Sequence, residues 1–134
     1  MLYFAYGSNL NHFQMKCRCK DSSFMRKFIL KNYKLTFRSV YRAADVEKNK
    51  KFEVPGAIFK ISKSDEKKLD LYEDYPILYK KTFFMLGGKK VMFYEMVNKT
   101  PFMYPEERYL NVIKNGYKDC KLNQKHLKYA LNQI

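Results

Sequence analysis

Met1-Leu-Tyr-Phe-Ala-Tyr-Gly-Ser-Asn-Leu10 decides how the rest of this chain is read. An apolar, aromatic run stops abruptly at Gly7-Ser8-Asn9, as when a buried strand delivers a tight polar loop to its own end. Gly7 can take positive φ, and its missing side chain lets a ligand approach the backbone. Successive backbone N–H groups beyond such a turn form a concave donor site for an anion or a developing oxyanion. A helix starting near Asn11 would add its dipole to that site. Gly-Ser-Asn also ends strands for purely structural reasons, so the turn alone does not decide between the two roles.

The chain has 134 residues, which suits one domain over 1–134. At 46% hydrophobic and 17% aromatic it can bury a core, which argues against disorder. No apolar stretch approaches the roughly 18 residues of a membrane span. Met1 leads straight into a strand with no secretory segment, so the expectation is a soluble, cytoplasmic protein. Cys17, Cys19 and Cys120 are an odd number, and Cys17-Arg-Cys19 has the wrong spacing for a zinc knuckle. They read as reduced thiols. The balance of 27 Lys+Arg against 13 Asp+Glu gives a net charge of +14. Such a surface attracts anions, but its cations are spread along the chain and no recognition motif accompanies them. A solvated lysine-rich surface, with no specific nucleic-acid partner, is the expectation.

Moving outward from the opening strand, Asn11 to about Cys17 reads as a short helix capped by Asn11. Phe24 to Leu30 and Tyr33 to Val40 read as two strands joined around Lys31-Asn32; the second alternates Tyr33, Leu35 and Phe37 with polar residues. Tyr41 to Lys51 is charged and reads as a loop. Val54 to Ile61 resumes a strand, with Pro55 at its edge and Gly56 marking a bulge or a close backbone approach. Ser62, followed by Asp65 and Glu66, opens a helix that runs to Tyr72 and stops before Pro76. Tyr79 to Leu86 and Lys90 to Val97 form a hairpin around Gly87-Gly88-Lys89, its second strand apolar on both faces. Asn98 to Tyr104 reads as a loop. A helix starts at Pro105-Glu106-Glu107, has Tyr109, Val112 and Ile113 inside, and ends at Gly116. A last helix covers Asn123 to about Asn132. Strands and helices do not alternate regularly, so the class is α+β: a mixed sheet curled toward a small barrel, with flanking helices.

One acidic residue stands out by position. Glu73 closes the helix at Leu69-Asp-Leu-Tyr-Glu-Asp-Tyr-Pro76, where the dipole disfavours a carboxylate and apolar neighbours desolvate it. A glutamate tuned toward neutral pH is a useful general base. Asp70 and Asp74 are rivals, and spacing does not choose among the three. His12 and His126 have no partner at a relay or ligand spacing, and Ser8 has no nucleophile-elbow context.

The run Tyr3 to Leu10 resembles the signature of the γ-glutamylcyclotransferase family, the AIG2-like proteins. Asp70-Leu-Tyr-Glu73 resembles the family's downstream Asp-x-x-Glu, and Pro105 to Tyr109 with Ile113 and Gly116 resembles its late helix. The likeness spans about residues 2 to 131. It implies release of 5-oxoproline from a γ-glutamyl amine or amino acid, with Glu73 as catalytic acid/base. It also implies that Tyr6, Gly7, Ser8, Asn9 and Leu10 bind substrate while Tyr79 and Tyr109 wall the pocket. No metal or organic cofactor is implied. Many relatives carry Gly after the catalytic Glu where this chain has Asp74, which can raise the Glu73 pKa or reshape the pocket. A non-catalytic small-molecule binding module on the same scaffold is the alternative. The leaving amine would be chosen by the segments Tyr41 to Lys51 and Asn98 to Tyr104, and either a monomer or a homodimer fits.

Overall fold

Leu2–Ala5 forms the central strand β1, and the sheet grows from it on both sides in a computed structural model that describes residues 1–134. Both of its faces are covered, since the successive residues Tyr3, Phe4 and Ala5 are all buried. One 3₁₀ turn, Ser8–Leu10, follows, then α1 (His12–Arg18), whose first turn is capped by Asn11 accepting from the Gln14 amide. Strands β2 (Ser23–Arg38) and β3 (Ala43–Lys60) form a long antiparallel hairpin. Helix α2 (Lys63–Tyr72) opens on a capping box between Ser62 and Asp65. β4 (Tyr79–Leu86) and β5 (Lys89–Met96) form a hairpin across Gly87-Gly88, both in the left-handed region at φ 55° and 78°, as a two-residue turn requires. Helices α3 (Glu107–Asp119) and α4 (Lys125–Asn132) complete the chain.

The strand order is β2-β3-β1-β5-β4, antiparallel except where β1 runs parallel to β5. The sheet is open but strongly curled. Phe28 on one edge strand and Phe84 on the other stack at 5.3 Å with planes 9° apart, and Phe4 of the central strand meets both edge-on. These rings sit in one cluster with 31 buried hydrophobic residues at its core. No helix is long and apolar enough to cross a membrane.

Four sequence expectations are corrected. Residues 41–51 are largely strand, because pairing with β2 outweighs their polar composition. Their charges are used internally: buried Asp45 pairs with Arg38 at 3.1 Å and Lys99 at 3.0 Å, and Glu47 pairs with Arg38. Only Ser39 to Arg42 turns, with Ser39 and Arg42 at positive φ. Lys31-Asn32 does not reverse the chain; Asn32 (φ 68°) sits at a bulge within one continuous strand. Gly116 does not end α3 but lies inside it. A Cβ there would come within 2.6 Å of the Asn11 nitrogen and 2.7 Å of Leu10 Cβ, so this glycine lets α3 press against the segment after β1. Pro105 precedes the helix cap, Glu106, rather than forming the first turn. Gly56 does mark a close approach, since a Cβ would meet the Ala5 carbonyl at 2.3 Å.

Candidate active site

β1 ends at a recess of about 510 Å³, and the end of α2 forms a second wall of it. Gly7, Ser8 and Asn9 line it together with Glu73, and Tyr6, Tyr79 and Tyr109 complete the lining. The structure therefore brings together all the residues singled out in the sequence except Leu10. Leu10 is fully buried beneath the recess, and its amide closes the turn onto the Gly7 carbonyl at 3.1 Å.

Gly7 has φ −121°, so positive φ is not the reason for a glycine there. Close packing is: a Cβ would sit 3.2 Å from Ala44 Cβ and 3.7 Å from the Tyr109 hydroxyl. The Leu10 and Asn11 amides are consumed by the turn, whereas those of Gly7, Ser8 and Asn9 donate to no protein acceptor. Three consecutive uncommitted N–H groups at a recess are the donor set an anion or oxyanion needs.

The surrounding side chains are tied down. Tyr6 donates to the Tyr94 carbonyl at 2.5 Å. Ala44 of β3 serves two walls: its carbonyl accepts from the Tyr79 hydroxyl at 2.6 Å, and its amide donates to the Tyr109 hydroxyl at 2.9 Å. Asn9 Nδ2 donates to the Tyr3 hydroxyl at 3.0 Å, and Asn9 Oδ1 accepts from Arg18 at 2.5 Å. Burial pushes the phenols of Tyr3, Tyr6, Tyr79 and Tyr109 above their ordinary range, so they stay neutral donors and acceptors.

Among the three rival acids the geometry is decisive. Asp70 accepts from the Tyr94 hydroxyl at 2.7 Å and pairs with Lys81 at 2.9 Å, so its role is to fasten α2 to β4 and β5. Asp74 is exposed, and its carbonyl accepts from Ile77 and Leu78. Its φ is +50°, a conformation glycine takes freely and Asp tolerates. Glu73 caps α2, is half-buried, and its carboxylate has no hydrogen bond or ion pair. Burial raises its pKa from the usual carboxylate range to about 8, with Arg18 pulling the other way.

Sequence reasoning missed Arg18, Tyr3, Tyr72, Tyr94 and Ala44. Arg18 carries the clearest signal: it stands seven residues after the Asn11 cap, on the same helix face, and helical side chains lean back toward the N-terminus. None of the 27 Lys and Arg side chains lines the recess itself, although Arg18 contacts its lining residues Ser8, Asn9 and Tyr72. No group of three or more His, Cys, Asp or Glu converges as a metal would require.

A family model described as "Gamma-glutamyl cyclotransferase, AIG2-like" matches residues 3–117. Among curated proteins, none matches the sequence. A solved structure described as "Gamma-glutamyl cyclotransferase" is 24% identical with a TM-score of 0.79, covering 100% of this chain and 87% of that one. The human uncharacterized protein loc79017 is 25% identical with a TM-score of 0.75, covering 99% and 86%. A mouse AIG2-like protein is 19% identical with a TM-score of 0.57, covering 81% of each chain.

Proposed function

Because the chain belongs to the AIG2-like γ-glutamyl cyclotransferase family, we propose that it is an enzyme that cyclises a γ-glutamyl amine or amino acid to 5-oxoproline, with Glu73 as general acid/base. One observation carries this reading: the partnerless carboxylate of Glu73 lines the same recess as the three uncommitted amides of Gly7, Ser8 and Asn9. A mere binding pocket has no need of a half-buried glutamate held near pH 8.

The substrate brings its own nucleophile. Glu73 takes a proton from the α-ammonium, freeing a lone pair that attacks the γ-carbonyl carbon and closes a five-membered ring. A bound ammonium favours the ionised glutamate, so the substrate helps prepare its own base. The oxygen of the tetrahedral adduct gains negative charge, which the amides of Gly7 to Asn9 receive. Glu73 then passes the α-ammonium proton, and the second one shed by the new ring nitrogen, to the departing nitrogen, and the old amide bond breaks. Of the three ammonium protons, one stays on the lactam nitrogen and two leave with the amine. The phenols of Tyr79 and Tyr109, fixed on Ala44, form the wall against which the glutamyl chain folds.

Glu73→Gln tests this directly. The folded variant should form 5-oxoproline from γ-glutamyl dipeptides or amines about 10²- to 10⁴-fold more slowly than wild type. A wild-type rate would overturn the role of Glu73, and a wild-type protein inert on all such substrates would favour a binding module instead.

A further inference from the structure

We propose that Arg18 is a positioning residue that couples the amide loop after β1 to the helix end carrying Glu73. The inference rests on the cyclotransferase reading of the recess. Helix α1 is capped by Asn11, immediately beyond the loop, and the Arg18 side chain, two turns on, reaches back to the loop. Arg18 Nη1 donates to Asn9 Oδ1 at 2.5 Å and reaches Ser8 Oγ at 3.5 Å. Asn9 is held at its other end by Tyr3, so its side chain cannot turn without breaking one of the two bonds.

The other face of the guanidinium lies on α2. Its carbon sits 3.5 Å from the centroid of the Tyr72 ring, and the Tyr72 hydroxyl is 3.1 Å from Ser8 Oγ. Tyr72 is the residue before Glu73. One planar cation thus touches both walls of the recess. Donating in its plane while stacking through its face is something guanidinium does and an ammonium does not. No carboxylate forms an ion pair with Arg18, so its charge is not spent elsewhere.

That charge also acts on Glu73. Burial keeps Tyr3, Tyr6, Tyr79, Tyr94 and Tyr109, which line the recess with Glu73, neutral, and Arg18 is the cation that favours the ionised form of the carboxylate. Without it, burial would hold the proton more tightly still.

The experiment compares wild type, Arg18→Gln and Arg18→Lys by 5-oxoproline release across pH and by carbon NMR titration of the Glu73 carboxyl. In Arg18→Gln, kcat should fall about 10-fold or more with KM little changed, and the Glu73 titration should move above pH 8. Arg18→Lys should bring the titration back but not kcat, because it restores charge without the stacked fork. Wild-type kcat together with a wild-type Glu73 titration in Arg18→Gln would overturn the proposal. Should that variant fail to fold, Tyr72→Leu removes the stacking surface alone; a severalfold fall in kcat supports the coupling and an unchanged kcat refutes it. If wild type releases no 5-oxoproline, the cyclotransferase reading fails by itself. The NMR arm still decides the coupling in that case, through the Glu73 titration and the amide shifts of Gly7, Ser8 and Asn9.

Discussion

The two walls of the recess are built on opposite principles. At the end of β1 nearly every side chain is committed: Tyr6 to Tyr94, Asn9 to both Tyr3 and Arg18, Ser8 to Tyr72. At the end of α2 the central carboxylate is committed to nothing, and its neighbours are exposed, Leu71 at 82% and Tyr72 at 44%. The first wall holds donors at fixed positions, which is how a transition-state charge is met without reorganisation. The second keeps a base reactive by withholding partners from it, at a cost in stability.

Four substitutions probe that contrast, the largest effect first. Gly116→Ala would drive a methyl group into Leu10 and the Asn11 backbone, under the donor wall. It should cost about 3 kcal/mol, read by chemical denaturation, and loosen the loop. Glu73→Gln should act the other way. The carboxyl ionises near pH 4.5 when unfolded and near 8 when folded, so between those values the native state holds a proton that the unfolded chain has lost. Wild-type stability therefore falls as pH rises from about 4.5 to about 8 and then levels off. Each pH unit costs at most about 1.4 kcal/mol, and water around the half-exposed group reduces the total to ~2 kcal/mol. The Gln variant should lack this decline, and denaturation at pH 5 and pH 9 measures it. Tyr3→Phe removes the acceptor of Asn9 Nδ2 and should cost about 1 kcal/mol, with a loss of turnover from the freed loop. Asp74→Gly relieves a left-handed aspartate at φ 50° and should raise stability by no more than ~0.5 kcal/mol, with turnover within about twofold. A large loss of activity there would give Asp74 a part in the chemistry.

What the sequence disclosed follows from locality. The strand and its polar stop, the Ser62–Asp65 cap and the Gly87-Gly88 turn are each written in a few adjacent residues, and each appears where those residues stand. Residues 41–51 were opaque because their charges find partners far along the chain; Lys99 satisfies Asp45 from 54 positions away. Gly116 was misread because a packing glycine and a helix-ending glycine look alike until the surface opposite is known. The site followed the same rule. Glu73 and the Gly7 loop could each be suspected from their neighbours. That Ala44 would anchor two tyrosines, or that Arg18 would bridge both walls, depends on elements meeting in space.

The open sheet carries one further consequence. Its edge strands β2 and β4 expose peptide groups that another chain's strand could pair with, the usual route to fibrils and precipitates. Arg26, Lys27, Lys31 and Lys34 punctuate the first edge and Lys80 the second. Two copies approaching edge to edge would bring these cations together and strip them of water. Like charges along both edges raise the electrostatic cost of pairing one open edge with another.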